Sequence, residues 1–274
     1  MPVGLCHLAV AAPTSRQRAR DCYSTSVDAR IGLCGFTMAI ADYPLYFPVV
    51  EIQHTFYEPP RNEVMSRWLA QTPPSLEYTM KVWQLVTHAA NSPTYRKMKS
   101  VLKAGAEPGW FRDSAAVQEG WRRSLECAQL LGATALLFQC PASFTPTDEN
   151  VVRMRRFFER IERPHARLLW EPRGAAWVKQ RDLALSLCRD LGLVHVVDPF
   201  VTAPEPGHPV YWRLHGIGSA RHSYTAGELQ QLREMLERAA GTGASYVMFN
   251  NLPRVGDAKR FAQLLGGSPA SGPM

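Results

Sequence analysis

The chain has no long apolar run. Nothing in its 274 residues approaches the roughly 18 consecutive apolar positions that a membrane-spanning helix needs, so no membrane partner is expected. CxxC pairs are absent too. The six cysteines, Cys6, Cys22, Cys34, Cys127, Cys140 and Cys188, are scattered, and several sit in apolar segments. That pattern suits reduced, buried thiols in a cytoplasmic protein better than a disulfide framework. The eight histidines show neither HxH nor HExxH spacing, so no metal is signalled. There is no GxGxxG or Walker loop to cradle a nucleotide phosphate, and no GxSxG elbow to present a serine nucleophile. No Gly/Ser-rich or Pro-rich stretch divides the middle of the chain as a linker would.

What is present is an ordinary globular composition, 46% hydrophobic and 20% charged, with a net charge of +7 and a pI near 9.2. A basic balance favours anionic partners. Basic residues gather at 16–20, 95–103 and 153–163. Each cluster reads first as a solvated helix face or tail. Nucleic acid stays open as a partner, although no zinc-finger or RNA-recognition signature accompanies the charge.

Short apolar runs alternate with helical patterns along most of the chain. Runs at 31–36, 49–57, 76–83, 135–140, 167–171, 194–198, 210–215 and 246–250 are mostly β-branched or aromatic and are bounded by Gly, Pro, Asn or Asp. Between them, Ser114 opens a helix at 115–131 that Gly132 stops. Thr147 opens one at 148–161 with Asp148 and Glu149 in the first turn, where the helix dipole favours acids. A third amphipathic stretch runs 177–191, and Thr225 with Glu228 forms a capping-box pattern before 229–240. Strands alternating with helices imply parallel pairing. Eight of them imply closure into one TIM-like parallel β/α barrel over 31–265. Residues 1–30 read as a loose extension rather than a secretory signal, because Met1–Pro13 has no basic start and His7 interrupts it. Residues 266–274 read as a frayed tail. About a dozen residues separate the first two strands, near the minimum for a parallel crossover, so the barrel is expected to be irregular there. The long connection 89–113 reads equally as a lid or as a structural insert.

Side chains alternate across a strand, so parity assigns faces. In the run Val210-Tyr211-Trp212-Arg213-Leu214-His215 the apolar set Val210, Trp212 and Leu214 suits the helix side, which turns Arg213 and His215 inward. The same reasoning turns inward Glu51, Gln53, Lys81, Gln139, Glu171, Arg173 and Asp198. Parity does not choose between Asn250 and Asn251. Barrel interiors are filled by apolar layers, and β/α barrels carry their sites at the carboxyl ends of the strands. Polar groups converging there must pair or face a wet pocket.

Glu51 and Glu171 are the candidate acid/base pair. Lys81 could anchor an anion, pair with Glu51 or, if desolvated, act as a nucleophilic amine, the first two being favoured. Arg173 and Arg213 suit capture of phosphate or carboxylate. His215 could shuttle protons. Gln139, Asp198, Asn250 and Trp83 complete the candidate binding set. Glu51, Glu171, Asp198 and His215 could form an oxygen-rich divalent-metal site in space, though no spacing signals one. The expectation is an enzyme, a hydrolase, isomerase or lyase, acting on a small anionic substrate. A nucleic-acid-binding protein and a non-catalytic ligand-binding barrel are the alternatives.

The segments Val49–Glu51, Thr55–Tyr57, Lys81 with Thr87-His88, Leu137–Gln139, Trp170-Glu171-Pro172-Arg173-Gly174, Val197-Asp198-Pro199, Arg213-Leu214-His215-Gly216 and Phe249-Asn250-Asn251, in this order, resemble the domain of unknown function 72 family, also called YecE-like. The resemblance runs from about Ile31 to Leu265. It implies a TIM-barrel-type fold and a pocket at these residues, and it names no reaction. Gly32-Leu33-Cys34-Gly35-Phe36 departs from the Gly-Thr-Ser-Gly-Trp-like stretch of many members, which implies a compact subgroup with a short first crossover.

Overall fold

A computed structural model describes residues 27–206, 209–241 and 243–266. Most of the expected amino-terminal extension, the expected tail, Cys6 and Cys22 lie outside the described residues. Eight strands form one sheet: β1 (Ala29–Cys34), β2 (Val49–Ile52), β3 (Glu77–Lys81), β4 (Ala135–Gln139), β5 (Arg167–Glu171), β6 (Val194–His195), β7 (Tyr211–Leu214) and β8 (Ser245–Phe249). Their order is β6-β5-β4-β3-β2-β1-β8-β7, every pairing is parallel, and a Val197–Trp212 bridge joins the two ends. The Arg213 N–H also donates to the Val197 carbonyl at 3.0 Å. The result is a barrel of the TIM type. No helix among the described residues is long and apolar enough to cross a membrane.

The helices are α1 (His54–Tyr57), α2 (Asn62–Ala70), α3 (Ala115–Leu131), α4 (Asp148–Arg160), α5 (Ala175–Lys179), α6 (Arg181–Leu191), α7 (Ala226–Ala239) and α8 (Arg254–Leu264). Their starts follow the capping chemistry of the sequence. The Ser114 and Thr147 hydroxyls accept from Val117 N and Asn150 N, and the Thr225–Glu228 capping box is complete. Gly132 ends α3 at φ 60°, as the sequence pattern expects. The amphipathic stretch 177–191 breaks at Gln180, which separates α5 from α6.

Three local features differ from the sequence pattern. The run 49–57 is a strand only to Ile52. Thr55 then donates its hydroxyl to the Lys81 carbonyl at 2.7 Å and holds the α1 turn against the end of β3, so a tertiary contact overrides the β propensity of Thr-Phe-Tyr. Strand β1 starts at Ala29, inside the expected extension. The first crossover is short, a single 3-10 turn at Tyr43–Leu45, yet the barrel is closed there. The buried Tyr43 hydroxyl accepts from Leu33 N at 2.9 Å and donates to Val49 O at 2.8 Å, stapling β1 to β2. Gly32 permits the close approach, since a Cβ on it would lie 2.3 Å from the Val49 oxygen. The thin seam is instead at β6, which has two residues, and the bridge to β7 is made by Val197 beyond its end.

The connection 89–113 is pinned at several points. The Tyr95 hydroxyl donates to His88 O at 2.7 Å, the Glu58 carboxylate accepts from Lys99 N at 2.7 Å, and Phe111 is buried among Phe138, Phe144, Phe157 and Phe158. These rings belong to the apolar layer between barrel and helices. A second, inner layer of Val49, Ala135, Leu137, Leu169, Val196 and Met248 plugs the barrel. Each fully buried aliphatic or aromatic side chain contributes about 1.5–3 kcal/mol, so this plug gives the polar residues above it a rigid floor.

Candidate functional site

The inner rows of the strands continue upward from the apolar plug. Val49 leads to Glu51, Thr79 to Lys81, Leu137 to Gln139, Leu169 to Glu171 and Tyr211 to Arg213. Arg213 is fully buried at their centre. Its Nη2 donates to Glu51 Oε1 at 2.9 Å and its Nε to both Glu51 oxygens at 3.1 Å. Its Nη1 donates to Glu171 Oε2 at 2.6 Å and reaches Gln139 Oε1 at 3.4 Å. Glu51 accepts further bonds from the Tyr211 hydroxyl at 2.9 Å and from the Gln53 amide, and it has no exposure. Tyr211 is itself held by Thr79 at 2.8 Å. Glu51 is thereby a sealed support for Arg213. The Cys34 thiol lies 3.6 Å from Arg213 Nη2, and burial followed by the Glu51 charge pushes its pKa up, so it stays protonated.

From Glu171 the chain of contacts runs outward. Its Oε1 accepts from Arg173 Nη2 at 3.1 Å, and Arg173 Nη2 lies 2.6 Å from His215 Nε2. A guanidinium only donates, so Nε2 accepts and the proton of a neutral imidazole sits on Nδ1. That nitrogen faces Asp198 Oδ2 at 3.5 Å, and Asp198 also accepts the His215 backbone N–H at 2.9 Å and that of Phe200 at 3.1 Å. Gly216 follows His215 at φ 90°, a conformation glycine adopts freely, and a Cβ there would lie 2.2 Å from the Ser219 oxygen. The loop that carries His215 is therefore held in one shape.

Exposure separates the two ends. Arg213 and Glu51 side chains are fully covered and that of Glu171 is 6% exposed, whereas Arg173 and His215 reach 36% and 30%. The outer end lines a cavity of about 320 Å³, with Glu171, Arg173, His195, Asp198 and His215 on its polar side and Trp177 on its apolar side. Burial raises the Glu171 pKa, but Arg213, Arg173, His215 and Lys81 outweigh it and hold the carboxyl down at about 2. Glu171 is a fixed negative charge across the physiological range.

Lys81 stands apart from this chain. Its Nζ lies 3.7 Å from the Phe56 ring centroid and makes no ion pair or hydrogen bond with a described residue. The Glu51 carboxylate that could have paired it is taken by Arg213. Burial, then the Arg213 charge, lower its pKa to about 7 against the pull of Glu51 and Glu171.

Seven of the candidate residues, Glu51, Gln139, Glu171, Arg173, Asp198, Arg213 and His215, thus join one contact chain. Trp83 and Asn250 do not. Trp83 lies past the end of β3, where its indole N–H donates to Tyr57 O at 3.1 Å. Asn250 continues the inner row of Tyr246 and Met248, and its backbone N–H donates to Leu214 O at 2.8 Å, outside the chain of side-chain contacts. Asn251 turns away to Asp257 at 2.6 Å. Tyr211, which bonds Glu51, is not among the candidates named from the sequence, although it lies two positions before Arg213 and parity points it inward. Phe56 and His88, whose rings meet at 4.8 Å beside Lys81, lie in the family-like segments Thr55–Tyr57 and Thr87-His88 but are not reached by strand parity. Among the described residues no group of three or more His, Cys, Asp or Glu is arranged to hold a metal ion, and the guanidinium of Arg213 fills the space between the carboxylates of Glu51 and Glu171.

A parallel β/α barrel with an ion-paired cluster at the carboxyl ends of its strands defines a TIM-type protein. The chain belongs to the protein of unknown function DUF72 family, whose model matches residues 36–272. Two solved DUF72 family proteins share the fold. One from Enterococcus faecalis V583 is 21% identical over 88% of this chain and 98% of its own, with a TM-score of 0.66. The other, from Thermotoga maritima MSB8, is 21% identical over 87% and 99%, with a TM-score of 0.61. A xylose isomerase domain containing protein from Salmonella typhimurium LT2 is 15% identical over 86% and 97%, with a TM-score of 0.55. No curated protein sequence matches the chain.

Proposed function

We propose that this barrel is an enzyme that acts on a small anionic molecule, phosphorylated or carboxylated, by proton transfer at the mouth formed by Arg173, His215 and Asp198. The observation that carries the reading is the polarity of the contact chain. Its inner end is sealed and saturated, while its outer end presents the Arg173 guanidinium and the His215 imidazole to a cavity of about 320 Å³.

Arg173 is the anion anchor. When its guanidinium turns to a phosphate or carboxylate, His215 Nε2 loses its donor and becomes a free base. Asp198, facing Nδ1, orients the ring and stabilises the imidazolium that forms. Glu171, ionised throughout, holds Arg173 in reach and adds a second negative charge beside the imidazolium. Glu51 and Tyr211 act through Arg213 as positioning residues. Such a site performs the proton transfers of an isomerisation, an elimination or a hydrolysis.

The basic surface clusters give less support to nucleic acid. Arg153, Arg155 and Arg160 are paired with Glu149, Asp190 and Asp113. The test is ligand-induced stabilisation with inorganic phosphate and with phosphorylated and carboxylated monosaccharides. Stabilisation that Arg173→Met abolishes is expected. Stabilisation by none of them, or stabilisation equal in the variant, overturns the reading.

A further inference from the structure

We propose that Lys81 is a carbonyl-condensing amine, so that the small anion taken at this mouth carries an aldehyde or ketone. The inference rests on reading the mouth as a substrate site and adds the substrate class to it.

Lys81 is the last residue of β3 and points inward. β3 stands four places from β7 in the eight-stranded order, so Lys81 and His215 face each other across the mouth. Every other inward cation of the cluster has a carboxylate partner: Arg213 has Glu51 and Glu171, and Arg173 has Glu171. Lys81 has the face of Phe56, backed by His88. A buried lysine kept only for packing gains little from its nitrogen, because leaving a charge unpaired in an apolar setting is costly. The two conditions that release a reactive amine are an apolar wall and a neighbouring cation. Phe56 supplies the first and Arg213 the second, and the lowered pKa of Lys81, about 7, agrees with that geometry. His88 does not compete for the proton, since burial and then Lys81 push its own pKa down to about 3. Lys81 is buried, with 5% of the residue exposed.

The step balances without a further reactant. The neutral Nζ attacks the carbonyl carbon, a C–N bond forms, and the C=O pair moves to oxygen, which takes a proton. Loss of that hydroxyl as water leaves a protonated imine. The imine then withdraws electrons from the adjacent carbon, whose proton passes to a base, and hydrolysis returns the amine. A molecule that reaches Lys81 with its carbonyl and Arg173 with its anionic group is a chain-form sugar phosphate or an oxo acid.

The experiment has two arms on the full chain. Limiting formaldehyde with cyanoborohydride at pH 7, read by peptide mass mapping, is expected to modify Lys81 about tenfold faster or more than Lys97 or Lys99, because the lowered pKa of Lys81, about 7, leaves much of it neutral. Glyceraldehyde 3-phosphate with cyanoborohydride is expected to leave one adduct, on Lys81, that Lys81→Arg lacks and Arg173→Met slows. Labelling of Lys81 no faster than the surface lysines, or an adduct unchanged in Lys81→Arg, overturns the proposal. Should Lys81 be inert while phosphate still stabilises the protein through Arg173, the lysine role falls alone. Should both fail, the mouth is not a substrate site.

Discussion

Arg213 donates to Glu51 and to Glu171 from opposite sides of one guanidinium, at 2.9 and 2.6 Å, with no exposure to solvent. The bridge ties β2, β5 and β7 together above the apolar plug and sets the height of every group outside it. Removing the cation leaves two buried carboxylates facing each other. Arg213→Met is therefore expected to cost roughly 3–5 kcal/mol of stability, the usual cost of breaking a buried pair from one side. Urea unfolding measures it. A loss below about 1 kcal/mol would mean that the bridge does not hold the barrel end together.

The acid limb of stability should carry the signature of Glu171. Its pKa is about 2 in the folded chain and near 4.5 when unpaired. A carboxylate lowered by folding contributes stability that is complete above the unfolded value and disappears as pH falls through the folded one. Between pH 5 and 2 the native protein should lose stability more steeply than Glu171→Gln. Parallel slopes for the two proteins across that window would contradict the ion-paired state of this carboxyl.

Lys81 gives the opposite flank. Folding lowers its pKa from 10.5 to about 7, so between those values the unfolded chain binds more protons and stability rises with pH. Below pH 7 the penalty of burying the charged amine is fully present. Lys81→Met should be more stable than the native protein near pH 6, and the gap should narrow towards pH 10. A gap that is constant with pH would show that the amine is not desolvated.

Gly216 separates shape from chemistry. Its φ of 90° and the 2.2 Å approach to the Ser219 oxygen leave no room for a Cβ. Gly216→Ala is expected to cost about 1–3 kcal/mol of stability and to shift His215 from Asp198. Turnover per folded molecule should fall with it, and thermal unfolding read beside activity checks both. Full activity in the variant would remove the need for a fixed His215 loop.

Much of this arrangement could be read in advance because a strand has a period of two. All eight strands stood where short apolar runs met turn residues, and parity turned Glu51, Lys81, Gln139, Glu171 and Arg213 to one side. Parity does not report what a side chain meets beyond a strand end. Arg173 and His215, past β5 and β7, join the contact chain, whereas Trp83 and Asn250, past β3 and β8, do not. His54–Tyr57 has strand-like residues but folds as a helical turn, because the Thr55 hydroxyl finds the carbonyl of Lys81 twenty-six positions later. Pairing was the other gap. That Arg213, rather than Lys81, would claim Glu51 depends on the reach of a guanidinium across the barrel, which no local pattern encodes. Nor does sequence spacing show that Glu51 is sealed while Arg173 and His215 stay open.

The proposed proton transfer to a small anion belongs to the outer end of the contact chain. Its most direct test is proton NMR of phosphorylated and carboxylated monosaccharides incubated with the protein in deuterated water, which reads conversion and exchange of carbon-bound hydrogen together. Native protein is expected to convert or deuterate at least one of them, and His215→Gln to lose that activity by about 10²–10⁴-fold with its fold intact. Equal activity in His215→Gln, or no change in any compound with the native protein, would mean that the mouth formed by Arg173, His215 and Asp198 carries out no such transfer.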